Sequence, residues 1–337
     1  MSHRRIQSAV VSIFALSALA AAPARATNAS SAPPGATQAQ VGGVTFSLGA
    51  TIGLVDGTAY ERVYAPQVRD FKVSELTWDL KNIAMVGVQG TADIGSRFRI
   101  NLGYWSAVSE GDGSMVDRDW LFLDADSDDD WTHESRHPDT TLDSGSMLDL
   151  SLDVRAFSMG ALSVSGIFGY KHDEWKWSAR GGDYNYTWDY NGDGYITEDE
   201  YRRGGSFPDG QLVIEYRQQY EMPYLGLGCE GVWGPVQVQG HVLYSPWVSA
   251  EDHDYHALRY TTFDGDFSGG DWFGAGLSAT WLFASRWYAT ASVEYQNFDE
   301  IIGKVTETSP EGRFVYGDSG GMELETVMLL FGAGFRF

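Results

Sequence analysis

Hydrophobic and polar residues alternate along most of the chain with a period of two. Leu148, Leu150, Leu152 and Val154 fall on one face, and Asp149, Ser151, Asp153 and Arg155 on the other. Phe98, Ile100, Leu102 and Tyr104 oppose Arg97, Arg99, Asn101 and Trp105 in the same way. Trp287, Ala289, Ala291, Val293 and Tyr295 oppose Tyr288, Thr290, Ser292, Glu294 and Gln296. Successive side chains of an extended strand point to opposite faces, so each segment predicts a strand with one apolar and one polar side. Ten such strands are expected. They come in pairs, joined alternately by tight turns (at Gly160, 233–235 and 284–286) and by long polar segments (56–74, 110–146, 181–210, 250–271 and 299–322).

A soluble β-sandwich shows the same alternation, with its charges in water. It leaves the aromatic strand ends, and the contrast between short turns and long loops, without a cause. In a membrane barrel the apolar face meets lipid, the charges line the lumen, and long loops lie on the cell exterior. The last strand, 326–337, ends the chain with Phe331, Phe335 and Phe337 on one face, as a barrel-closing strand would. The expected fold is therefore all-β: a ten-stranded antiparallel transmembrane β-barrel with long extracellular loops.

Composition adds a compartment and a charge. Arg4 and Arg5 precede an apolar run that ends in Ala24-Arg25-Ala26, the pattern of a secretory signal peptide over residues 1–26. Residues 27–40 read as a flexible lead and 41–337 as the barrel. No later stretch has the roughly eighteen apolar residues of a spanning helix, while 12 Trp, 18 Tyr and 17 Phe suit interfacial girdles. Removing Arg4, Arg5 and Arg25 leaves 20 basic against 46 acidic residues. Such an anionic surface argues against nucleic acid and for cationic peptides or proteins as partners. Cys229 is the single cysteine, so no intramolecular disulfide can form.

The candidate chemistry lies in the long polar segments. Residues 115–139 contain MVDRDW, in which Asp117 and Asp119 stand two apart, so an extended backbone aims both carboxylates into one groove. Residues 251–256, EDHDYH, repeat the spacing with Asp254 and His256. A carboxylate there can hold an imidazole while the ring takes a proton from water. Spacing alone fits a solvated acidic loop equally well. Strand phase is a further difficulty: alternation from Val236, Val238 and Val242, which should face lipid, also aims Asp254 and His256 outward. Pro246 cannot donate to a ladder, and a bulge there is required to turn them inward.

Taken together, MVDRDW, ESRHPDT, ARGGDY, SFPDG, EMPYLGL and YERVY resemble the omptin family of outer-membrane endopeptidases, over almost the whole mature chain. The resemblance implies a peptidase in the outer membrane of a Gram-negative bacterium, with an extracellular site, water as nucleophile and no cofactor for catalysis. It implies that Asp254 and His256 activate the water and that Asp117 and Asp119 face them. Glu61 and Asp252 match an acidic pocket for the basic side chain before the cleaved bond. Two departures stand out. His133 occupies a position where the family carries an acid, so a preference for a basic residue after the bond does not carry over. The outward basic residues that bind lipopolysaccharide near Tyr170 are here Glu174 and Gln219, with Arg217 in the same phase, so dependence on lipopolysaccharide is expected to be weaker or met differently.

One motif lies outside that resemblance. DYNGDGYITEDE, residues 189–200, fits the twelve-residue EF-hand loop. Asp189, Asn191, Asp193, the carbonyl of Tyr195, Thr197 and Glu200 would supply oxygen ligands, with Gly194 at the sharp turn. Flanking helices are not evident, so calcium affinity is expected in the roughly millimolar range. Residues 124–130, DADSDDD, lack the Gly and the distal Glu and read as a solvated charge run. The alternative function is a catalytically inactive barrel acting as a calcium-responsive surface adhesin or receptor. A diffusion porin fits poorly with so many lumen-facing charges.

Overall fold

The structure is a computed structural model that describes residues 43–68, 71–122, 125–192, 196 and 202–337. The expected signal peptide and lead lie outside the described residues. Fourteen strands follow in order: β1 (Val44–Tyr64), β2 (Lys72–Ile94), β3 (Phe98–Ala107), β4 (Met115–Asp119), β5 (His133–His137), β6 (Asp139–Met159), β7 (Leu162–Arg180), β8 (Asp183–Thr187), β9 (Arg202–Ser206), β10 (Leu212–Trp233), β11 (Val236–His256), β12 (Thr261–Leu282), β13 (Trp287–Ser309) and β14 (Gly312–Arg336).

Ten of them close an antiparallel ring, β1-β2-β3-β6-β7-β10-β11-β12-β13-β14, with β14 returning to β1. This is the barrel the alternation predicts. The residues assigned to lipid do face outward: Phe98, Ile100, Leu102 and Tyr104 on β3, Leu150 and Leu152 on β6, Trp287 and Val293 on β13, and Phe331 on β14 are all exposed. Closure removes every sheet edge within this apolar band, as hydrocarbon demands. At the tight-turn end, Trp233 pairs with Val236 across Gly234-Pro235. Gly234 has φ +60°, the value the first central residue of a type II′ hairpin turn needs.

At the other end the strands run far past the lipid band. Residues 56–64, 250–256, 261–271, 299–309 and 312–322, expected as loop, are largely paired strand. Many of these residues are polar on both faces, because above the membrane neither side meets hydrocarbon. There β4, β5, β8 and β9 leave the ring and form a flap sheet, β2-β4-β5-β8-β9. Gly181 and Gly182, both at positive φ, let the chain turn from β7 into it. A Cβ on Gly182 would come within 2.2 Å of the Arg136 carbonyl oxygen, so the flap can sit this close only over glycine.

Aromatic rings fill the middle of the barrel. Trp78, Trp177 and Tyr216 stack with centroids 5.3–5.9 Å apart, and Tyr220 stacks on Phe298 at 4.0 Å. All five are fully buried. Below them lies a polar cavity of about 370 Å³ lined by Arg99, Asp149, Glu230, His241 and Glu294, among others. The candidate site lies above them.

The phase difficulty on β11 has a visible solution. Leu243 and Ser245 are buried, and then Val248, Ala250, Asp252 and Asp254 are, so the inward face changes from odd to even numbers. The ladder with β12 slips between Ser245 and Val248, and the ladder with β10 slips at the same level. β10 keeps its alternation across this level, from Ile214 to Glu230, so the bulge belongs to Pro246-Trp247. The amide of Trp247 donates to the Ser245 hydroxyl at 3.1 Å, which satisfies the N–H that the bulge frees.

Candidate active site

Asp254 lies seven residues beyond Trp247, the last exposed aromatic residue on β11. At about 3.3 Å per residue that is roughly 23 Å of strand, clear of the lipid. Asp254 Oδ2 meets His256 Nε2 at 2.6 Å, with the carboxylate almost fully buried and the imidazole partly exposed. Phe263 stands edge-on to the imidazole, with centroids 5.4 Å apart. The ring is therefore held from two sides.

Asp117 and Asp119 share a face of β4, as their spacing requires, and pair with Leu76 and Ser74 of β2. The Ser74 hydroxyl donates to Asp117 Oδ1 at 3.5 Å, a long contact. Burial pushes the Asp117 carboxyl well above the usual carboxylate range, and the charges of Asp119 and Asp254 push it further. Burial likewise raises Asp119, against the opposing pull of Ser74, His133, Arg259 and His256. Arg259 comes from the turn after β11, where its guanidinium lies 5.2 Å from the Phe263 ring centre. Its charge tempers both aspartates.

Glu61 and Asp252 complete one acidic cluster with these groups, each 7% exposed. Burial raises Glu61 far above its ordinary value, with Asp254, Asp252 and Asp117 adding to the effect. Asp252 is pushed up to about 7 by burial and by the neighbouring Asp254. The amide of Gly265 donates to Asp252 Oδ1 at 2.8 Å, and the Tyr216 hydroxyl donates to Oδ2 at 3.3 Å. Behind Tyr216, Gln218 Nε2 donates to the Tyr216 oxygen and to the Tyr60 carbonyl, both at 3.0 Å, and Tyr220 donates to Gln218 Oε1 at 3.2 Å. The pocket floor is thus a hydrogen-bonded row along one face of β10.

His137, in the same polar stretch as the aspartates, belongs elsewhere. It is fully buried, with Nδ1 2.6 Å from the Gly181 carbonyl and Nε2 2.9 Å from the Ser135 hydroxyl. It pins the flap to the barrel. His133 does face the groove, beside Asp119 in the β4–β5 ladder. Sequence reasoning missed Ser74, Arg259, Tyr216 and Gln218, whose roles depend on cross-strand register rather than local spacing.

On the outer wall, Arg217 points outward as expected but lies 3.7 Å from Glu174. Tyr170 donates to Glu221 at 2.7 Å. Of the calcium-loop residues, Asp189 and Asn191 are described, and Asp189 Oδ1 accepts from the Gly192 amide at 2.6 Å. Asp193, Tyr195, Thr197 and Glu200 lie outside the described residues. Among the described residues no group of three His, Cys, Asp or Glu side chains is arranged to hold a metal. In the acidic run, Asp128 reaches Lys72 at 3.0 Å and is otherwise largely exposed.

The Omptin family matches residues 43–337. The plasminogen activator of Yersinia pestis is 27% identical over 296 residues, which cover 87% of this chain and 90% of that protein. Protease 7 of Escherichia coli K12 is 32% identical over 207 residues, 61% of this chain and 62% of its own length. The outer membrane protease OmpP of the same organism is 32% identical over 212 residues, 63% of this chain and 64% of its own length. The crystal structure of the outer membrane protease OmpT from Escherichia coli superposes with a TM-score of 0.79 at 24% identity, covering 87% of this chain and 97% of that one. With a ten-strand barrel, an acidic groove at its exposed end and a match over nearly all the described residues, the chain belongs to the omptin family of outer-membrane proteases.

Proposed function

We propose that the groove hydrolyses peptide bonds that follow a basic residue, in cationic peptides or proteins outside the cell. The observation that carries this reading is the 2.6 Å Asp254–His256 contact within one acidic cluster with Asp117, Asp119, Glu61 and Asp252. In the proposed reaction His256 takes a proton from water as the water oxygen bonds to the scissile carbonyl carbon. Asp254 fixes the imidazole and stabilises the imidazolium. A proton held by the Asp117–Asp119 pair, whose raised affinity supports such a role, donates a hydrogen bond to the developing oxyanion. Collapse then breaks the C–N bond as the imidazolium returns its proton to the leaving amine.

Glu61 and Asp252 select an Arg or Lys side chain before the bond, through charge-assisted hydrogen bonds that a neutral side chain cannot form. We further infer that calcium, bound through Asp189, Asn191 and the rest of the 189–200 loop, modulates activity. Lipopolysaccharide has a weaker hold on this protein, since Glu174 already engages Arg217.

The test is cleavage of quenched fluorescent peptides that carry a single Arg–X bond by refolded protein, beside His256→Ala. Cleavage after Arg that vanishes in the variant supports the reading. No cleavage of any such peptide, with or without added lipopolysaccharide and calcium, overturns it.

A further inference from the structure

Consecutive side chains of an extended peptide point to opposite sides. A basic side chain directed at Glu61 and Asp252 therefore sends the next one, across the scissile bond, toward the opposite wall. That wall is the flap, and the strand ladders say which residues line it. Residues paired across a ladder share a face. Asp119 pairs with His133 and His133 with Tyr186, while Asp117 pairs with Ser135 and Ser135 with Tyr184. Two rows thus run outward from the two aspartates, and both become aromatic within two strands.

The rings pack as a continuous surface. His133 lies 4.9 Å from Tyr186, Tyr186 stacks on Tyr184 at 4.8 Å, and Tyr184 meets Phe207 at 5.1 Å. His133, Tyr184 and Tyr186 are half-buried and so open to a ligand. Burial keeps the His133 imidazole below its ordinary pKa, so it is neutral near pH 7. Arg202, stacked 3.6 Å above Trp131, opposes positive charge at His133. The rows carry no carboxylate beyond Asp117 and Asp119.

We propose that this face of the flap selects an aromatic or large apolar side chain immediately after the cleaved bond, with His133, Tyr184 and Tyr186 as its contacts. The proposal rests on the protease reading for its orientation: the basic side chain in the acidic pocket sets which wall the next one meets. A planar side chain gains offset or edge contacts with the exposed rings and buries apolar area. A Lys or Arg there loses hydration next to a neutral ring and an arginine, with only Asp119 at the head of the row to compensate.

Two measurements test it. In the first, peptides with a fixed Arg and a variable following residue (Phe, Trp, Leu, Ala, Lys) are compared by kcat/KM. Phe or Trp is expected to exceed Lys by on the order of tenfold. Tyr186→Ser should shrink that ratio to about threefold or less, and His133→Asp should shift it toward Lys. A rate for Lys equal to or above that for Phe overturns the proposal. In the second, the His256→Ala protein is titrated with the intact Arg-Phe and Arg-Lys peptides and their Kd values compared. At least fivefold tighter binding of Arg-Phe is expected, and equal or absent binding of both overturns the proposal whatever happens in catalysis. If no peptide is cleaved and Arg-Phe still binds more tightly, the protease reading fails and the flap specificity stands.

Discussion

Glu61 and Asp254 stand within hydrogen-bond range of each other, and a buried oxygen of each, Glu61 Oε2 and Asp254 Oδ1, meets no N–H or O–H donor. Two carboxylates cannot bond without a proton between them, and Glu61, whose proton affinity burial raises, can share one there until a basic side chain enters the pocket. Glu61 thus supports the same aspartate that holds His256. Glu61→Gln keeps a donor for Asp254 but cannot ionise when a guanidinium arrives, so KM for an Arg peptide should rise while kcat stays within about tenfold. Glu61→Ala leaves the Asp254 oxygen unpaired, and kcat should fall as well. Separate kcat and KM values for the two variants decide the point.

The Asp254–His256 contact sets the largest expected loss. His256→Ala and Asp254→Asn should each lower kcat by about 10²–10⁴-fold. Heat-modifiable mobility on gels should show both variants as folded barrels, because neither side chain reaches the lipid-facing band.

Asp252, raised to about 7, gives substrate binding a pH dependence. Only its ionised form attracts a guanidinium fully, so KM for an Arg peptide should fall as pH rises through about 7. Asp252→Asn should flatten that profile. A profile unchanged by the substitution would remove Asp252 from the pocket.

The same carboxyls cost stability. A group whose folded pKa lies above its unfolded value holds more protons in the folded state between the two, so stability falls as pH rises through that interval. For Asp252 the window runs from the usual carboxyl range to about 7, and Glu61 and Asp117 act in the same direction. Tm in detergent should therefore decline from about pH 4 to about pH 7, and less steeply in Asp252→Asn.

The two external effectors separate cleanly. Adding lipopolysaccharide should change the rate less than about threefold, whereas Glu174→Lys, which frees Arg217, should increase the response. Calcium at millimolar concentration should change kcat/KM relative to chelator, and Asp189→Ala with Asn191→Ala should abolish the difference. Equal rates with calcium and chelator would sink the calcium coupling.

The barrel was legible in the sequence because lipid enforces alternation. Leu150, Leu152, Phe98 and Ile100 could not have been placed otherwise, and each is exposed. The Asp254–His256 contact was legible in their spacing, whereas the role given to the pair came from the resemblance, because the same spacing fits a solvated acidic loop. Above the membrane the alternation loses its solvent contrast, so residues 250–271 and 299–322 looked like loop although they are mainly hairpin. Ser74, Tyr216, Gln218 and the aromatic rows of the flap depend on which strands lie side by side. No window along one strand contains that information.

The bulge at Pro246-Trp247 divides β11 into two reading frames. Below it, odd positions belong to the lumen; above it, even positions belong to the groove. The lower half can satisfy the bilayer and the upper half the substrate without a shared parity. Removing Trp247 alone would put both halves back in one frame, turning Asp252, Asp254 and His256 outward while every one of those residues remained in the chain.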